Sequence, residues 1–241
     1  ETDLLFLAAK RDWIQLFCSR LDALNIQPAA IVPASLLDYN AWQFLETGSA
    51  LPALVVNLGA RSTTLTYIYE GGFALRTVNF GGNLLTQPIA DHLGCSFQQA
   101  ESLKIRFFTE EESFSDEDPR VRMIHDQADQ FRKRLHLEIT RSVMQFRRQS
   151  SGAPPKALWL AGGGALLPGL ETFLSEKQNV PVQLFHMEEK VIPAPTLDDK
   201  MWSSLRYQVF ETIGEAVKDR VSQGVGVDLV PPSIHQRKAF N

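Results

Sequence analysis

Cysteine and long apolar runs are both scarce in this sequence of 241 residues. The two cysteines, Cys18 and Cys95, belong to no CxxC motif and to no Cys/His cluster. This argues against a disulfide framework or a zinc site and favours a reducing compartment. Every apolar run is far shorter than the roughly 18–20 residues that a membrane span needs. The sequence opens with Glu1 rather than Met, so we expect it to be a piece of a longer protein.

A strong net charge is also lacking, since 24 basic residues stand against 28 acidic ones and give a formal charge of −4. Nucleic acid is therefore not attracted by the average charge. No GxSxG or Cys/His nucleophile motif is present. The histidines are scattered without metal-ligand spacing, so we predict no metal site built on them; they are His92, His125, His136, His186 and His235.

Apolar patterning alternates between strands and helices, which predicts an α/β fold with a partly parallel sheet. Strands are expected at Leu4–Ala8, Ile26–Val32, Ala53–Leu58, Thr63–Glu70, Phe73–Phe80, Ala157–Ala161 and Pro181–Phe185. Helices are expected at Arg11–Leu24, Ser35–Phe44, Asn83–Leu93, Phe97–Phe107, Val121–Gln149, Leu170–Lys177 and Ser203–Val221.

The longest predicted helix carries a basic face opposite its apolar one. We interpret that face as solvated, because no aromatic residues are interleaved with it for stacking on bases. Its residues are Arg132, Lys133, Arg134, Arg141, Arg147 and Arg148. The acidic segment Glu110–Asp118 before this helix is interpreted as a solvated connection.

Three short segments carry residue types that suit a nucleotide. The first runs from strand to turn to strand and offers a glycine, hydroxyls and backbone N–H groups to a phosphate; it comprises Asn57, Gly59, Ala60, Arg61, Ser62 and Thr63. A hairpin turn that carries glycine and serine is, however, far more often only a turn. The second is the pair Glu101 and Lys104, which share one face of a helix and suit ribose and adenine. An exposed ion pair is the simpler alternative for the pair.

The third segment is the most specific, because three glycines follow directly after a buried strand. Gly162, Gly163, Gly164 and Ala165 let the backbone lie flat against a base or a phosphate. A tight turn from strand to helix remains the alternative.

Four blocks in a fixed order resemble the PilM family of type IV pilus assembly proteins. They are VNLGARSTTLTYI, FGGNLLTQPIADHLGCSFQQAESLK, LEITRSVMQF and LWLAGGGALLPGLETFLSEKQNVPV. The family belongs to the actin/hexokinase-like ATPases and is related to the cell-division protein FtsA. The resemblance implies an actin-like fold, consisting mainly of the second lobe with the end of the first.

The resemblance also implies a division of the chain. Residues 1–51 would be the remainder of the first lobe and residues 52–226 the second lobe. Within the second lobe, a small subdomain would span about 84–155 and a returning helix about 203–221. Residues 227–241 would form a tail.

The resemblance implies that the three segments bind ATP with Mg²⁺ in the intact protein, and the sequence departs from the family pattern in two ways. The family's first phosphate loop is expected upstream of Glu1. Asn57 stands where the superfamily has the Asp that organises magnesium, and an amide contributes no charge. We therefore expect nucleotide binding rather than efficient hydrolysis, little binding by this chain alone, and stronger magnesium-dependent binding in an Asn57→Asp variant of the intact protein.

The tail resembles the Ile-Asn-Leu-Leu-Pro motif of PilN, the inner-membrane partner of PilM proteins. The matching residues are Val227, Asp228, Leu229, Val230 and Pro231. An extended, proline-stiffened segment suits capture by a groove, and a final strand is the alternative.

The function implied is a cytoplasmic scaffold at the inner face of the inner membrane, in type IV pilus assembly or related type II secretion. It would dock to a PilN-like protein or fused segment, and it could also self-associate. Contact with the membrane would come only through the partner. The alternatives are an active ATPase or sugar-kinase-like enzyme of the same superfold, and an FtsA-like filament-forming protein.

Overall fold

A computed structural model describes residues 7–46, 48, 50–109, 115, 118–150, 152–185, 187 and 190–232. The described helices are α1 (Arg11–Asp22), α2 (Ala34–Leu45), α3 (Asn83–Leu93), α4 (Phe97–Thr109), α5 (Pro119–Ser150), α6 (Leu170–Gln178), α7 (Asp199–Leu205) and α8 (Phe210–Val217). The strands are β1 (Ala53–Leu58), β2 (Thr63–Tyr69), β3 (Gly72–Val78), β4 (Ala157–Ala161) and β5 (Val182–Leu184). Among these residues, no helix is both long and apolar enough to cross a membrane.

The five strands form one mixed sheet in the order β3-β2-β1-β4-β5. β1, β2 and β3 pair antiparallel, as expected for strands joined by short turns. β4 pairs in parallel with both β1 and β5. The sheet is therefore partly parallel, as the alternating pattern predicts.

Helices cover both faces of the sheet, because the buried strand β1 alternates its side chains between two cores. Leu54, Val56 and Leu58 face a core that α3, α5 and α6 complete. Ala53 and Val55 face a second core shared with α2 and α8. The central strand is buried on both sides, which explains its apolar sequence apart from Asn57.

Two predicted elements differ in the structure. Ile26–Val32 was expected to be a strand but has no regular secondary structure. In the described part of the chain this segment contacts the tail, where the oxygen of Ile31 accepts from the N–H of Leu229 at 2.9 Å. A single backbone hydrogen bond of this kind does not make a β-ladder. The predicted helix Ser203–Val221 is two shorter helices, with residues 206–209 between them.

The other described elements agree with the predictions to within two residues at each end. β5 is shorter than predicted, and α5 begins earlier, at Pro119, where proline suits a first turn. The predicted strand Leu4–Ala8 and the acidic segment Glu110–Asp118 lie largely outside the described residues.

Candidate functional site

The first and third predicted segments leave the sheet at the same edge. β1 and β4 are parallel neighbours, and Asn57 pairs with Ala161 in their register. The following residues, Leu58-Gly59 and Gly162-Gly163, therefore emerge side by side at the carboxyl ends of the two strands. This is the edge at which open α/β sheets bind ligands.

Gly162 and Gly164 are required by close packing at this edge. Gly162 has a φ of +81°, and a Cβ there would lie 2.5 Å from the backbone oxygen of Leu58. A Cβ on Gly164 would lie 2.5 Å from Cγ of the same leucine. Both contacts are shorter than any side chain tolerates, so these two glycines let the turn pack directly on β1.

Gly163 lies between them in a different environment. The nearest atom to a Cβ built on Gly163 is Cγ of Gln208, at 4.0 Å. Gly163 is half-buried and has room for a small neighbour, whereas Ala165 beyond it is buried. Of the residues predicted in this segment, Gly163 is thus the one best placed to approach a ligand.

The first segment forms a tight turn with an exposed tip. Gly59 donates its N–H to the backbone oxygen of Ser62 at 3.0 Å, while Ala60 and Arg61 are exposed. Thr63 is buried, and its hydroxyl donates to the backbone oxygen of Phe80. The hydroxyl of Thr63 is therefore committed to the fold rather than free for a phosphate.

The second segment joins the first through Gly82. The N–H of Gly82 donates to the backbone oxygen of Gly59 at 2.9 Å. The oxygen of Gly82 in turn accepts from Lys104 Nζ at 3.4 Å. Lys104 also donates to Thr86 Oγ1 at 3.0 Å and to Glu101 Oε2 at 2.8 Å.

The ammonium group of Lys104 is consequently surrounded by protein acceptors. Its side chain is 7% exposed, against 31% for Glu101. We interpret Lys104 as the residue that holds Gly82, Thr86 and Glu101 in place. Glu101 is the member of the pair that reaches solvent.

Asn57 lies at the centre of a buried polar cluster that links β1 to α2 and α8. Its Nδ2 donates at 2.8 Å to Asp38 Oδ1 and at 2.8 Å to Glu211 Oε1. Burial raises the pKa of Asp38 well above its usual value; the hydrogen bond from Asn57 lowers it in part, and the negative charge of Glu211 raises it further. The other oxygen of Asp38, Oδ2, is buried and has no hydrogen-bond partner among the described residues.

Sequence reasoning missed Asp38 and Glu211. The sequence offers one local signal for Asp38, because this acid interrupts the apolar sequence of α2. The structure shows that Asp38 is fully buried there. A buried carboxyl group without a basic neighbour in sequence is rare and points to a specific partner. Glu211 gives no such signal, since it lies in the first turn of α8, where acids are common.

The donor set at this edge fits a phosphate or a base better than a metal ion. The exposed residues Ala60 and Arg61 and the open side of Gly163 suit a nucleotide. Asn57 directs its amide donors at two carboxyl groups. No cluster of three or more His, Cys, Asp or Glu suited to a metal occurs in the described part of the chain.

Two surface clefts lie away from this edge. One is lined by Ser96, Gln98, Gln99, Ser102, Leu103 and Arg106, at the start of α4. The hydroxyl of Ser96 and the amide of Gln99 cap each other's backbone there, so these polar groups already serve the helix. The other cleft is lined by Ala9, Arg11, Ile14, Leu229, Pro231 and Pro232, and joins α1 to the tail.

The tail contacts its own chain along the predicted docking segment. Asp228 Oδ1 accepts from the N–H of Ile31 at 3.0 Å and from that of Val230 at 2.9 Å. Val230 is buried, with 5% exposure, whereas Leu229 is half-buried. Upstream, the Asn40 side chain pairs with the N–H and oxygen of Val225, both at 2.8 Å. The segment is therefore held against a groove of its own molecule.

Comparison with solved structures identifies the fold. A chain of a PilM-PilN type IV pilus biogenesis complex matches with a TM-score of 0.57 and 24% identity, over 76% of this chain and 50% of that one. The ethanolamine utilization protein EutJ from Carboxydothermus hydrogenoformans matches with a TM-score of 0.43 and 19% identity, over 62% of this chain and 48% of that one. The chain thus spans about half the length of these structures. The predicted actin-like fold is confirmed, and the division into lobes stays a prediction.

Comparison with curated protein sequences finds no match. The family model described as type IV pilus assembly protein PilM, however, matches residues 1–218. That range covers the three candidate segments and all the described helices and strands, and it confirms the resemblance drawn from the four sequence blocks. The chain belongs to the PilM family of type IV pilus assembly proteins.

Proposed function

We propose that this chain is part of a nucleotide-binding, actin-like scaffold of type IV pilus assembly, or of related type II secretion. It would act in the cytoplasm, at the inner face of the inner membrane. The observation that carries the proposal is the meeting of three distant segments at one edge of the sheet. Gly59 contacts Gly82, Gly82 contacts Lys104, and Gly162 packs on Leu58 beside Gly59.

Proteins of this fold generally bind nucleotide with Mg²⁺. In the proposed site, the turn from Gly59 to Ser62 faces the phosphates, Glu101 faces the ribose and Gly163 lies beside the base. Lys104 and Thr86 position Glu101 without contacting the ligand. Asn57 is buried and supports the site through its contacts with Asp38 and Glu211. Its amide offers no charge to a metal, and catalysis of phosphoryl transfer depends on charge placed at the metal. This favours nucleotide binding over efficient hydrolysis.

Docking to a PilN-like inner-membrane protein is the second part of the proposal. The solved relative is a complex of PilM with PilN. In this chain the PilN-like segment Val227–Pro231 lies against Ile31, whose oxygen accepts from the N–H of Leu229 and whose N–H donates to Asp228 Oδ1. Pairing with the main chain of a groove is one way in which proteins recognise a peptide. The groove beside Ile31 is therefore the proposed docking site.

A Gly163→Val substitution in the full-length protein tests the nucleotide site. Because the nearest atom is 4.0 Å from a Cβ at Gly163, valine fits without disturbing the fold but occupies the space assigned to the base. We expect affinity for a fluorescent ATP analogue with Mg²⁺ to fall at least tenfold, while the melting temperature stays the same.

Gly226→Val is the matched control, since it adds the same side chain at an exposed glycine of the tail. Its affinity for the analogue should equal that of the wild type. If Gly163→Val binds the analogue as tightly as the wild type, the base does not bind beside this turn. If the wild-type protein binds no nucleotide, the proposed nucleotide site is wrong.

A further inference from the structure

A regular row of exposed side chains runs along α5. Its five members follow one another at spacings of three, four, three and four residues: Arg134, Leu137, Arg141, Met144 and Arg148. All five are exposed, with 49% exposure for Leu137, 54% for Met144 and 65% for the side chain of Arg141. We call this row the α5 ridge. Its spacing is that of the a and d positions by which two helices pack along a shared seam.

The rest of the fold holds the ridge in place. The opposite face of α5 is buried in the larger core through Ala128, Phe131, Leu135, Ile139 and Phe146. At one end, the guanidinium of Arg134 lies 5.6 Å from the centre of the Phe80 ring. Between Arg134 and Arg148 the helix rises about 21 Å. The ridge is thus a rigid, preformed surface, and none of its residues belongs to the nucleotide edge or the tail groove.

The charge of the ridge differs in sign from that of the whole chain. Residues 133–148 contain five basic residues and one acid, although the chain has a net charge of −4. Lys133 and Arg147 flank the ridge on one side. The single acid, Glu138, is bound to Arg141 at 2.8 Å. Two copies of this surface repel each other, so a second copy of the chain does not fit it.

We propose that the α5 ridge is a docking surface for an acidic amphipathic helix of a partner protein. Carboxylates of the partner would pair with the three arginines, and its apolar side chains would pack against Leu137 and Met144. An interfacial lipid surface fits less well, because membrane-binding helices present a broad apolar face with basic residues at its margins. Here the two apolar side chains are about 10 Å apart and alternate with arginines.

A designed 21-residue peptide is the probe, with leucine at d positions and glutamate at a, e and g positions of three heptads. Its fluorescence anisotropy, measured at low salt with the full chain, should report saturable binding that weakens as salt is added. The double variant Arg141→Glu/Arg148→Glu should weaken binding at least tenfold, because each reversal replaces an attractive pair with a repulsive one. Leu137→Ser/Met144→Ser should also weaken binding, and that loss should persist at high salt.

Arg122→Glu/Lys177→Glu is the matched control, since it reverses two exposed charges away from the ridge and should bind the peptide like the wild type. Melting temperatures of all variants verify folding. The proposal is overturned if the wild type does not bind the glutamate peptide, or if a lysine version binds equally well. It is also overturned if the ridge variants bind normally, or if the ridge captures phosphatidylglycerol vesicles and not the peptide.

Discussion

The sequence and the structure lead to different expectations for the role of the Asn57 amide. The family resemblance implies that it stands where related proteins have the acid that organises magnesium, so the sequence predicts that Asn57→Asp strengthens magnesium-dependent binding. In the structure both N–H bonds of its amide are directed at carboxyl groups, those of Asp38 and Glu211. A carboxylate at this position would face two others. The structure therefore changes the expected outcome of the substitution.

We predict that Asn57→Asp destabilises the protein by about 2–4 kcal/mol, because two hydrogen bonds are lost and an unpaired charge is buried. Urea unfolding at neutral pH measures the loss. The double variant Asn57→Asp/Asp38→Asn exchanges amide and carboxyl group and should recover most of the stability. An Asn57→Asp variant as stable as the wild type would show that the Asn57 amide does not hold this cluster together.

Asp38 should make stability depend on pH. Its pKa is raised in the folded protein, so its stabilising contribution is complete below the unfolded value near 3.8 and is lost as pH rises through the folded pKa. Asp38→Asn keeps the acceptor for Asn57 but cannot ionise. We expect the free energy of unfolding of this variant, relative to the wild type, to increase as the pH rises above the unfolded value near 3.8.

The exposed Asp219→Asn substitution is the control for this measurement, and its stability should follow that of the wild type across the same range. A constant difference between Asp38→Asn and the wild type would mean that Asp38 ionises as readily in the folded protein as in the unfolded chain.

At the scale of elements, the contact between α2 and α8 depends on one glycine. A Cβ on Gly214 would lie 2.1 Å from the backbone oxygen of Leu37, so the two helices approach as closely as their backbones allow. We predict that Gly214→Ala costs about 1–3 kcal/mol, because the helices must separate around the cluster at Asn57. Chemical denaturation gives the value. Gly163→Ala, which adds the same methyl group where the nearest atom is 4.0 Å away, should be nearly neutral.

Local sequence patterns were sufficient to predict the helices and strands whose ends are determined by neighbouring residues in the sequence. The predicted strand Ala53–Leu58 has the same bounds as β1, and the predicted helix Asn83–Leu93 has the same bounds as α3. Ile26–Val32 was wrong because a strand needs a ladder partner, and no sequence pattern says whether one is present. The break between α7 and α8 was missed because apolar spacing continues across it.

The candidate site also has a part that could be predicted from the sequence and a part that could not. Glycine runs and strand ends marked Gly59 and Gly163 from the sequence alone, and the parallel pairing of β1 with β4 brings their segments together. The burial of Lys104 and the cluster of Asp38, Asn57 and Glu211 could not be predicted, because both depend on elements far apart in the chain. The roles of all these residues toward a ligand stay predictions.

At the scale of the whole molecule, the described part of the tail contacts residues that lie far earlier in the chain. Residues 225–230 lie against α2 and the segment before it, through Asn40 and Ile31. Asp228 fastens this contact by accepting the backbone N–H of Ile31, and within the tail it also accepts that of Val230. An external peptide with the same sequence can bind the groove only if the chain's own tail leaves it.

We therefore predict that Asp228→Ala opens the groove to a peptide added in trans. A labelled peptide with the sequence of residues 225–232 should bind the variant at least tenfold more tightly than the wild type, because the weakened tail competes less. Fluorescence anisotropy measures both affinities. The peptide keeps its own aspartate and so can accept the N–H of Ile31 in the groove. Asp219→Ala, an exposed substitution outside this contact, should bind the peptide as weakly as the wild type. Equal affinities for Asp228→Ala and the wild type would mean that the tail is a fixed part of the fold and not an exchangeable ligand, and the groove beside Ile31 would then be unavailable to a PilN-like partner.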